Sequence, residues 1–505
     1  MLKSIKIYKK PWDMRICKWK MQYTYIPDIQ NMQIFVNKTG EAAFSLTGGP
    51  IPTIIIQYPA EKSYPDFDEK DVFFMKTTVK NMDYDAVMAL APYERKKPVK
   101  PGLFWRNLIR GLTLVGLMGT KFTYETERME LLDKKEPCLI LMNHSCFLDL
   151  QIAYRILYPR PFNIICTSDG FVGFFGLMGW LMRTIGCVPT QKFVTDLSLV
   201  RDMEYCFKEL KTSVLMYPEA SYSFDGTATA LPRKMGVLLK KYKVPVVMIE
   251  TFGAFSRNPL YNELQVRKSV PVSAKVRLLY TKEEIQSKTV QELSDGVDGA
   301  FSFDHFRWQK EQGLEISEPF RADGLNRILY KCPHCGEEGQ MTGKGERLTC
   351  NACGKQWSLT PLGELAAKSG ETEFSHIPDW YAWQRKKVTE EIESGEYRLD
   401  VDVDIAMLVD FKAIYKVGSG HLTHDATGFC LTGCDGRLDY RQGPRSCYSL
   451  YADYYWYEIA DVICIGNNDR LYYCFPKGGD VVAKTRLAVE QMYKLDKGKK
   501  AASPV

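Results

Sequence analysis

Apolar runs of strand length alternate with segments of helical periodicity between about residues 120 and 315. The apolar runs include PCLILM, FNIICT, SVLMYP and VPVVMIETFG, and the helical segments include FLDLQIAYRIL and TDLSLVRDMEYCFKELK. This order is typical of an α/β domain with a largely parallel sheet and crossover helices on both faces. In such sheets, functional residues collect at the carboxyl ends of the strands.

The first of these strands runs into a histidine and then an acid, in LILMNHSCFLDL. A neutral imidazole can take a proton from a hydroxyl that attacks a carbonyl, and an acid bound to its other nitrogen fixes the tautomer. On one helix, His144 and Asp149 would point about 140° apart. They meet if His144 lies in the turn before the helix, for which NHS supplies N-cap residues, and Asp149 lies in its first turns. A buried structural histidine is the alternative.

Blocks of sequence around and after this histidine resemble those of the glycerolipid acyltransferases, the lysophosphatidate acyltransferase family. NHSCFLD is similar to the family's motif of histidine, four residues and aspartate. In GWLMRTIGCVPTQK the spacing of Gly179, Gly186 and Lys192 matches the second block. YPEAS resembles the third block and VPVVMIETFG the fourth. The resemblance covers about residues 100–275.

The resemblance implies transfer of a fatty acyl group from an acyl thioester to a hydroxyl of a glycerolipid such as 1-acyl-glycerol-3-phosphate. It makes His144 the general base and Asp149 its orienting acid. Lys192 would meet an acceptor phosphate as a point charge. The residues of the blocks expected to bind substrate are Asn143, Lys192, Glu219 and Ser221. No covalent acyl-enzyme is implied, so Cys146 is interpreted as a small packed residue.

The third block departs from the family's pattern. Ala220 stands where the family has glycine, and Tyr222 stands where it has arginine. Loss of a bidentate phosphate-binding group weakens the case for a phosphorylated acceptor. Arg233 and Lys234, in LPRKMG, are candidate substitutes for that group; a solvated helix start is the alternative interpretation. The acceptor could therefore be lysophosphatidate, glycerol phosphate or an unphosphorylated lipid alcohol.

Two Cys-x-x-Cys-Gly turns, CPHCG and CNACG, form a separate module. Their spacing brings four thiolates within reach of one tetrahedral ion, and the glycines permit tight knuckles. The pattern predicts a structural zinc ribbon, with a rubredoxin-like iron site as the alternative. The predicted ligands are Cys332, Cys335, Cys350 and Cys353. A closed four-thiolate site leaves no open position for catalysis.

The predicted organisation has four parts. Residues 1–95 have no assigned role, residues 100–315 form the acyltransferase domain, and residues 328–362 form the ribbon. Residues 375–500 are rich in strand patterns and end in an amphipathic helix, an order similar to that of pleckstrin-homology-like barrels. Most other cysteines lie singly in apolar runs, and the chain starts without the apolar core of a signal peptide, which favours a reducing cytoplasmic setting.

The expected partners follow from the acyl chemistry. The donor would be acyl-CoA or acyl-carrier protein, which no motif distinguishes, and the acceptor would be a glycerolipid. An amphipathic segment, GLFWRNLIRGLTLVGLMG, and a net charge of +6 favour peripheral association with the inner face of a membrane. No basic–aromatic run indicates nucleic acid. The rival hypothesis is a non-catalytic protein that keeps the fold and binds lipid or a protein partner.

Overall fold

The structure is a computed structural model. It describes residues 31–36, 42–47, 56–58, 77–173, 177–194, 196–232, 235–263 and 265–501, with side chains from 77 to 495. The chain divides into two compact units, Met1–Phe73 and Phe74–Val505. The first contains an antiparallel sheet in the order β1-β2-β3, with strands Asn31–Val36, Ala42–Thr47 and Ile56–Tyr58.

The second unit begins with the elements that carry the predicted α/β pattern. In chain order they are β4 (Val79–Asn81), α1 (Tyr84–Met88), α2 (Leu103–Gly116), β5 (Thr123–Glu127), β6 (Leu139–Met142), α3 (Leu148–Leu157), β7 (Phe162–Thr167), α4 (Met178–Thr184), β8 (Cys187–Thr190), α5 (Leu197–Tyr205), β9 (Ser213–Met216), α6 (Met235–Tyr242), β10 (Val246–Phe252), α7 (Ala254–Arg257), β11 (Ser273–Tyr280), α8 (Lys282–Ser287), α9 (Val290–Ala300) and α10 (His305–Glu311).

These strands form a seven-stranded sheet in the order β5-β11-β10-β6-β9-β7-β8. Five of them, from β10 to β8 in this order, run parallel to one another. Strand β11 pairs antiparallel with β10 and parallel with β5. The predicted sheet is therefore confirmed as α/β but is mixed. Burial alternates along β11, as expected for an antiparallel strand near the sheet edge, whereas all four residues of β6 are buried.

Apolar side chains cover both faces of this sheet, as predicted. On one face Ile140 and Met142 of β6 pack in a cluster with Ile152 of α3. On the other face Leu139 and Leu141 pack in a cluster with residues from α5, α6 and α9, which are Met203, Leu239 and Leu293. Neighbouring residues of a strand point to opposite faces, so one short run builds both cores.

The rest of the second unit is rich in strands. Its elements are β12 (Met341–Lys344), β13 (Arg347–Cys350), β14 (Gln356–Leu359), β15 (Leu365–Ala367), α11 (Ile377–Ser394), β16 (Leu399–Leu408), β17 (Ile414–Asp425), β18 (Gly428–Gly433), β19 (Leu438–Gln442), β20 (Tyr451–Trp456), β21 (Ala460–Gly466), β22 (Leu471–Pro476) and α12 (Val481–Ala501). Strands β12 to β15 form one sheet, and β19-β18-β17-β16-β22-β21-β20 form another, in which β4 pairs parallel with β17.

The two C-terminal sheets and helices α11 and α12 share one hydrophobic cluster. It contains Trp357 of β14, Trp380 of α11, Ile405 of β16 and Leu487 of α12, all at most 1% exposed. Phe224 and Phe255 from the α/β region belong to the same cluster. The C-terminal half therefore packs continuously against the α/β sheet. The resemblance to a pleckstrin-homology barrel stays a prediction.

Candidate active site

Three parallel strands end side by side at the candidate site. Strand β6 lies between β9 and β10, with Leu141 opposite Met216 and Met142 opposite Ile249. Asn143 and His144 follow β6, and the loop that contains Glu219 follows β9. The carboxyl ends of parallel strands thus bring the first and third sequence blocks together, as expected for such a sheet.

His144 and Asp149 form the predicted pair. Nδ1 of His144 lies 2.9 Å from Oδ2 of Asp149, which also accepts the backbone N–H groups of Ser145 at 2.7 Å and Cys146 at 3.1 Å. A carboxylate that accepts these bonds requires Nδ1 of His144 to donate, so Nε2 of the neutral ring is the basic nitrogen.

The turn before α3 differs from the predicted one in its cap. Helix α3 begins at Leu148 after Phe147, which makes no side-chain cap bond. The carboxylate of Asp149, in the first turn, instead binds the N–H groups of the preceding turn. The prediction that NHS supplies the N-cap of α3 was therefore wrong. Asp149, inside the helix, accepts the N–H groups of Ser145 and Cys146 instead.

The His144 ring lies between two tyrosines. The ring centroid of Tyr217 is 4.0 Å away, nearly parallel at 21°, and that of Tyr222 is 4.1 Å away at 37°. The side chain of His144 remains 18% exposed. Burial lowers the pKa of His144, and the bond to Asp149 opposes this. The ring is consequently neutral at neutral pH, the form that a general base requires.

Glu219 organises the backbone of the site. Its Oε2 accepts the backbone N–H of His144 at 2.9 Å, and its Oε1 accepts that of Thr229 at 2.8 Å. The side chain is fully buried, and burial raises its pKa to about 7, against the effect of these two bonds. The sequence placed Glu219 in the acceptor site, whereas in the structure both its oxygens hold main-chain groups.

The remaining predicted residues have different surroundings. Asn143 is fully buried and accepts the backbone N–H of Thr251 at 2.8 Å. The ammonium of Lys192 lies 4.1 Å from the ring centroid of Tyr451, and the hydroxyl of Ser221 donates to the carbonyl of Tyr222. Arg233 and Lys234 lie outside the described residues.

Ala220 has φ of 53°, in the left-handed region that favours glycine. The resemblance placed the family's glycine at this position. An alanine there costs about 1–2 kcal/mol of backbone strain, so the surrounding contacts of the β9 loop must impose the conformation. The alanine thus adopts a backbone conformation that a glycine would adopt without this cost.

Comparison with known proteins adds an independent observation. Residues 123–249 match the family model described as Acyltransferase, and this range contains His144, Asp149 and Glu219. The chain carries an acyltransferase-family domain. The predicted resemblance to an acyltransferase family is thereby confirmed over residues 123–249.

One solved structure similar to this chain is that of the 1-acyl-sn-glycerophosphate (LPA) acyltransferase PlsC from Thermotoga maritima. It is 17% identical, with a TM-score of 0.30, over 39% of this chain and 76% of that chain. The search of curated proteins found no match to this chain.

The four predicted metal ligands of this chain cluster as expected. The sulfur atoms of Cys332, Cys335, Cys350 and Cys353 all lie within 4.8 Å of one another. The Cys332–Cys353 and Cys335–Cys350 sulfur separations are 3.9 and 3.7 Å. Four thiolates at Zn–S distances of about 2.3 Å around a tetrahedral ion would be about 3.8 Å apart. The arrangement is compatible with zinc.

Each knuckle of this cluster has the same backbone geometry. The N–H of Gly336 donates to the carbonyl of Cys332 at 2.9 Å, and that of Gly354 to Cys350 at 2.8 Å. Both glycines have positive φ, 83° and 76°. The sequence therefore predicted the role of these glycines as well as the cysteines.

The sequence did not predict the C-terminal residues that contact the acyltransferase blocks. Asp169, after β7, accepts hydrogen bonds from Tyr451 and Trp456, the latter at 3.1 Å. Arg486 of α12 donates to Ser221 at 3.3 Å. These partners lie 265 or more positions apart in the chain. No local pattern in the sequence indicates such pairs. The two tyrosines that contact His144, Tyr217 and Tyr222, could have been found, because they belong to the third block.

Proposed function

We propose that the protein transfers a fatty acyl group from an acyl thioester to a hydroxyl of a glycerolipid at the surface of a membrane. The observation that carries this proposal is the His144–Asp149 pair at the carboxyl end of β6, with Nε2 directed away from the acid. The acyltransferase match over residues 123–249 supports the reaction class.

In the proposed reaction Nε2 of His144 takes the proton of the acceptor hydroxyl while its oxygen attacks the thioester carbonyl. Asp149 stabilises the resulting imidazolium through Nδ1–H. Collapse of the tetrahedral intermediate breaks the C–S bond, and His144 returns the proton to the leaving thiolate. The products are an ester and a free thiol. Cys146 is 4% exposed, and no covalent step through it is needed.

Exposed apolar side chains support membrane attachment through α2. The exposed positions of this helix are Leu103, Asn107, Gly111, Leu114, Val115 and Gly116, so that none carries a charge. The apolar surface continues into the exposed Met118 and into Trp180. The ring centroid of Trp180 lies 5.8 Å from that of Trp105 of α2. An uncharged face with exposed leucine and valine side chains is of the kind that binds at a membrane interface.

This surface also leads to the candidate active site. Helix α2 packs along α3, and Gly116 lies against the side chain of Gln151. Phe147 and Leu150, on either side of the start of α3, are each 39% exposed. A lipid acceptor in the bilayer could thus reach His144 along an apolar path. Among the helices of the described residues, none is long and apolar enough to span a membrane.

We predict that Leu103→Glu and Met118→Glu each weaken vesicle binding by about tenfold or more, because about 1.5–3 kcal/mol accompanies burial of such a side chain. The measurement is co-sedimentation with vesicles of phosphatidylcholine and phosphatidylglycerol. Leu197→Glu is the matched control, since Leu197 is 66% exposed, close to the 69% of Leu103, but lies on α5. Equal binding by all three variants would contradict attachment through α2.

The acceptor is addressed by a panel assay. Purified protein and a labelled acyl thioester are offered lysophosphatidate, glycerol phosphate and neutral lipid alcohols separately, with acyl-CoA and acyl-carrier protein as alternative donors. We propose a glycerolipid acceptor such as 1-acyl-glycerol-3-phosphate. A folded protein that transfers to none of these acceptors would favour the lipid- or partner-binding alternative.

We predict that Tyr222→Arg raises kcat/KM for lysophosphatidate relative to a neutral lipid alcohol by about tenfold. A guanidinium beside His144 can form charge-assisted hydrogen bonds to phosphate, each worth about 1.5–3 kcal/mol. Tyr222→Phe keeps the ring over His144 and is expected to leave the ratio unchanged. If Tyr222→Arg leaves it unchanged as well, position 222 does not set acceptor preference.

We infer that the ion held by the four cysteines is zinc, in a structural role. Thiolate ligands in a closed tetrahedral set favour zinc or iron. The site lies beside the packed cluster of the C-terminal half, to which Cys332 and Cys350 belong. Metal analysis of the purified protein distinguishes the two ions.

A further inference from the structure

Arg486 is a buried cation from α12 that touches the third sequence block. It is 2% exposed, its Nη1 lies 3.3 Å from Oγ of Ser221, and its guanidinium carbon lies 4.1 Å from the ring centroid of Phe224. Its Nη2 is buried without a hydrogen-bond partner among the described residues. A buried guanidinium is costly unless an acid compensates its charge.

The acid nearest to Arg486 on its own helix is shared. Glu490 accepts from Arg385 at 2.5 Å and from Ser449 at 2.8 Å, and lies 3.4 Å from Nε of Arg486. One carboxylate thus serves two guanidinium groups. Asp225 also faces Arg385, and the buried carboxyl group that faces Arg486 from the β9 loop is that of Glu219, two residues before Ser221.

Among the described residues, Glu219 has few other charged neighbours. Within the part of the chain that the structure describes, the titratable or charged groups that face it are His144 after β6, Tyr448 before β20 and Arg486 on α12. Of these only Arg486 is a permanent cation, because His144 is neutral at neutral pH. Arg486 favours the ionised form of Glu219, whereas burial opposes it and raises the pKa to about 7.

We propose that Arg486 is a positioning residue of the acyl-transfer site: through Ser221 and its charge it holds Glu219 as the carboxylate that fixes the backbone of His144. The inference rests on the proposed function, since His144 is the base of that reaction. It also makes α12, more than 330 positions after His144, a component of the site.

The proposal depends on the two hydrogen bonds of Glu219. An ionised carboxylate accepts at both oxygens, as the N–H groups of His144 and Thr229 require. A protonated carboxyl carries a donor on one oxygen, which makes that oxygen a weaker acceptor for the N–H group it binds. Loss of the bond to His144 frees the turn that directs Nε2 toward the substrate.

The test compares Arg486→Met with Arg385→Met. Both variants remove a cation bound to Glu490, but Arg385 lies on α11 and, among the described residues, does not hydrogen-bond to Ser221 as Arg486 does. Glu219 binds the N–H of His144, so protonation of Glu219 should shift the ring resonance of His144. With carbon-labelled histidine, the six histidines give six ring signals, and His144→Gln identifies the relevant one.

The ring resonance of His144 is followed as the pH is varied, and the inflection of this curve reports the protonation of Glu219. We expect that inflection to rise by about one pH unit in Arg486→Met, since a nearby opposite charge lowers a carboxyl pKa by about 1–3 units. It should move little in Arg385→Met. Acyl transfer by Arg486→Met should fall about tenfold near pH 6.5 and recover near pH 8.5, which a merely structural defect would not do. An inflection that stays in place in Arg486→Met overturns the proposal.

Two further measurements keep the test decisive. Arg486→Gln keeps a donor for Ser221 without the charge, and gives the same upward shift if Arg486→Met does not fold. An unchanged inflection in Arg486→Gln overturns the proposal as well. The resonance can be measured without any acyl transfer. Absence of acyl transfer in the wild-type protein would therefore overturn the proposed function, and an unchanged inflection would overturn this inference.

Discussion

Replacement of His144 by alanine is expected to abolish acyl transfer while the fold and the metal content stay unchanged. General-base catalysis contributes about 10²–10⁴-fold to the rate. Alanine removes Nε2, and among the described residues no other histidine hydrogen-bonds to Asp149. Asp149→Asn should cause a loss of similar size, because an amide can present its N–H₂ to Nδ1 and reverse the tautomer. The measurement is kcat/KM with a labelled acyl thioester.

His421→Ala is the matched control for this prediction. Its ring also binds carboxylates, at 2.7 Å to Asp400 and 3.0 Å to Asp402, but it lies 41% exposed on β17. Acyl transfer should be unchanged in this variant. Full activity in His144→Ala would overturn the assignment of the base, whereas a parallel loss in both variants would point to a nonspecific effect of histidine removal.

The pH dependence follows from the same pair. Burial lowers the pKa of His144 below its ordinary value, so the base stays neutral down to a more acidic pH than a free histidine would. Its ionisation should therefore limit the reaction only on the acid side of its ordinary pKa. Glu219, with a pKa of about 7, is expected to give the first loss of activity as the pH falls through neutrality.

Removal of the metal is expected to lower the midpoint of thermal unfolding by about 10 °C or more and to reduce acyl transfer. Structural zinc supplies about 10–16 kcal/mol to small zinc modules. Trp357 of β14 lies in the shared cluster with Trp380 and Leu487, so loss of the cysteine-bearing sheet exposes the core of the C-terminal half. The measurement is thermal unfolding after chelation and after return of zinc.

The expected link between metal and activity depends on charged contacts. Glu338, between the two knuckles, accepts from Lys331 at 2.8 Å and from Lys484 of α12 at 2.7 Å. Lys484 is two residues from Arg486. Displacement of the cysteine-bearing sheet should therefore disturb the helix that contacts Ser221, so activity should fall together with the metal content.

Cys332→Ser tests the site genetically, and Cys430→Ser is its control. Cys430 lies on β18, outside the cysteine cluster, and should leave one metal ion per chain. Cys332→Ser should lose the ion and reproduce the effect of the chelator. An unchanged unfolding midpoint in metal-free protein would contradict a structural role, and a characteristic visible absorption would identify iron instead of zinc.

The sequence by itself determined the features that depend on local spacing. An apolar run ending at Met142, with a histidine and an acid five residues apart, requires a strand, a turn and a helix to bring the pair together. Likewise, the Cys-x-x-Cys-Gly turns define their own knuckle geometry. In both cases the contacting groups lie within a few residues of one another, so the chain connectivity fixes their separation.

Only the tertiary structure decided which residues surround that pair. The sequence placed Glu219 and Asn143 against the substrate, but both are buried and hold the main chain through bonds to His144, Thr229 and Thr251. The partners of Ser221, Lys192 and Asp169 come from β20 and α12. Such pairs follow from the packing of one compact unit, in which apolar burial brings distant segments together without any local preference for one another. The physical reason is that this driving force is non-directional, so pattern identifies buried faces but not the polar groups that meet between them.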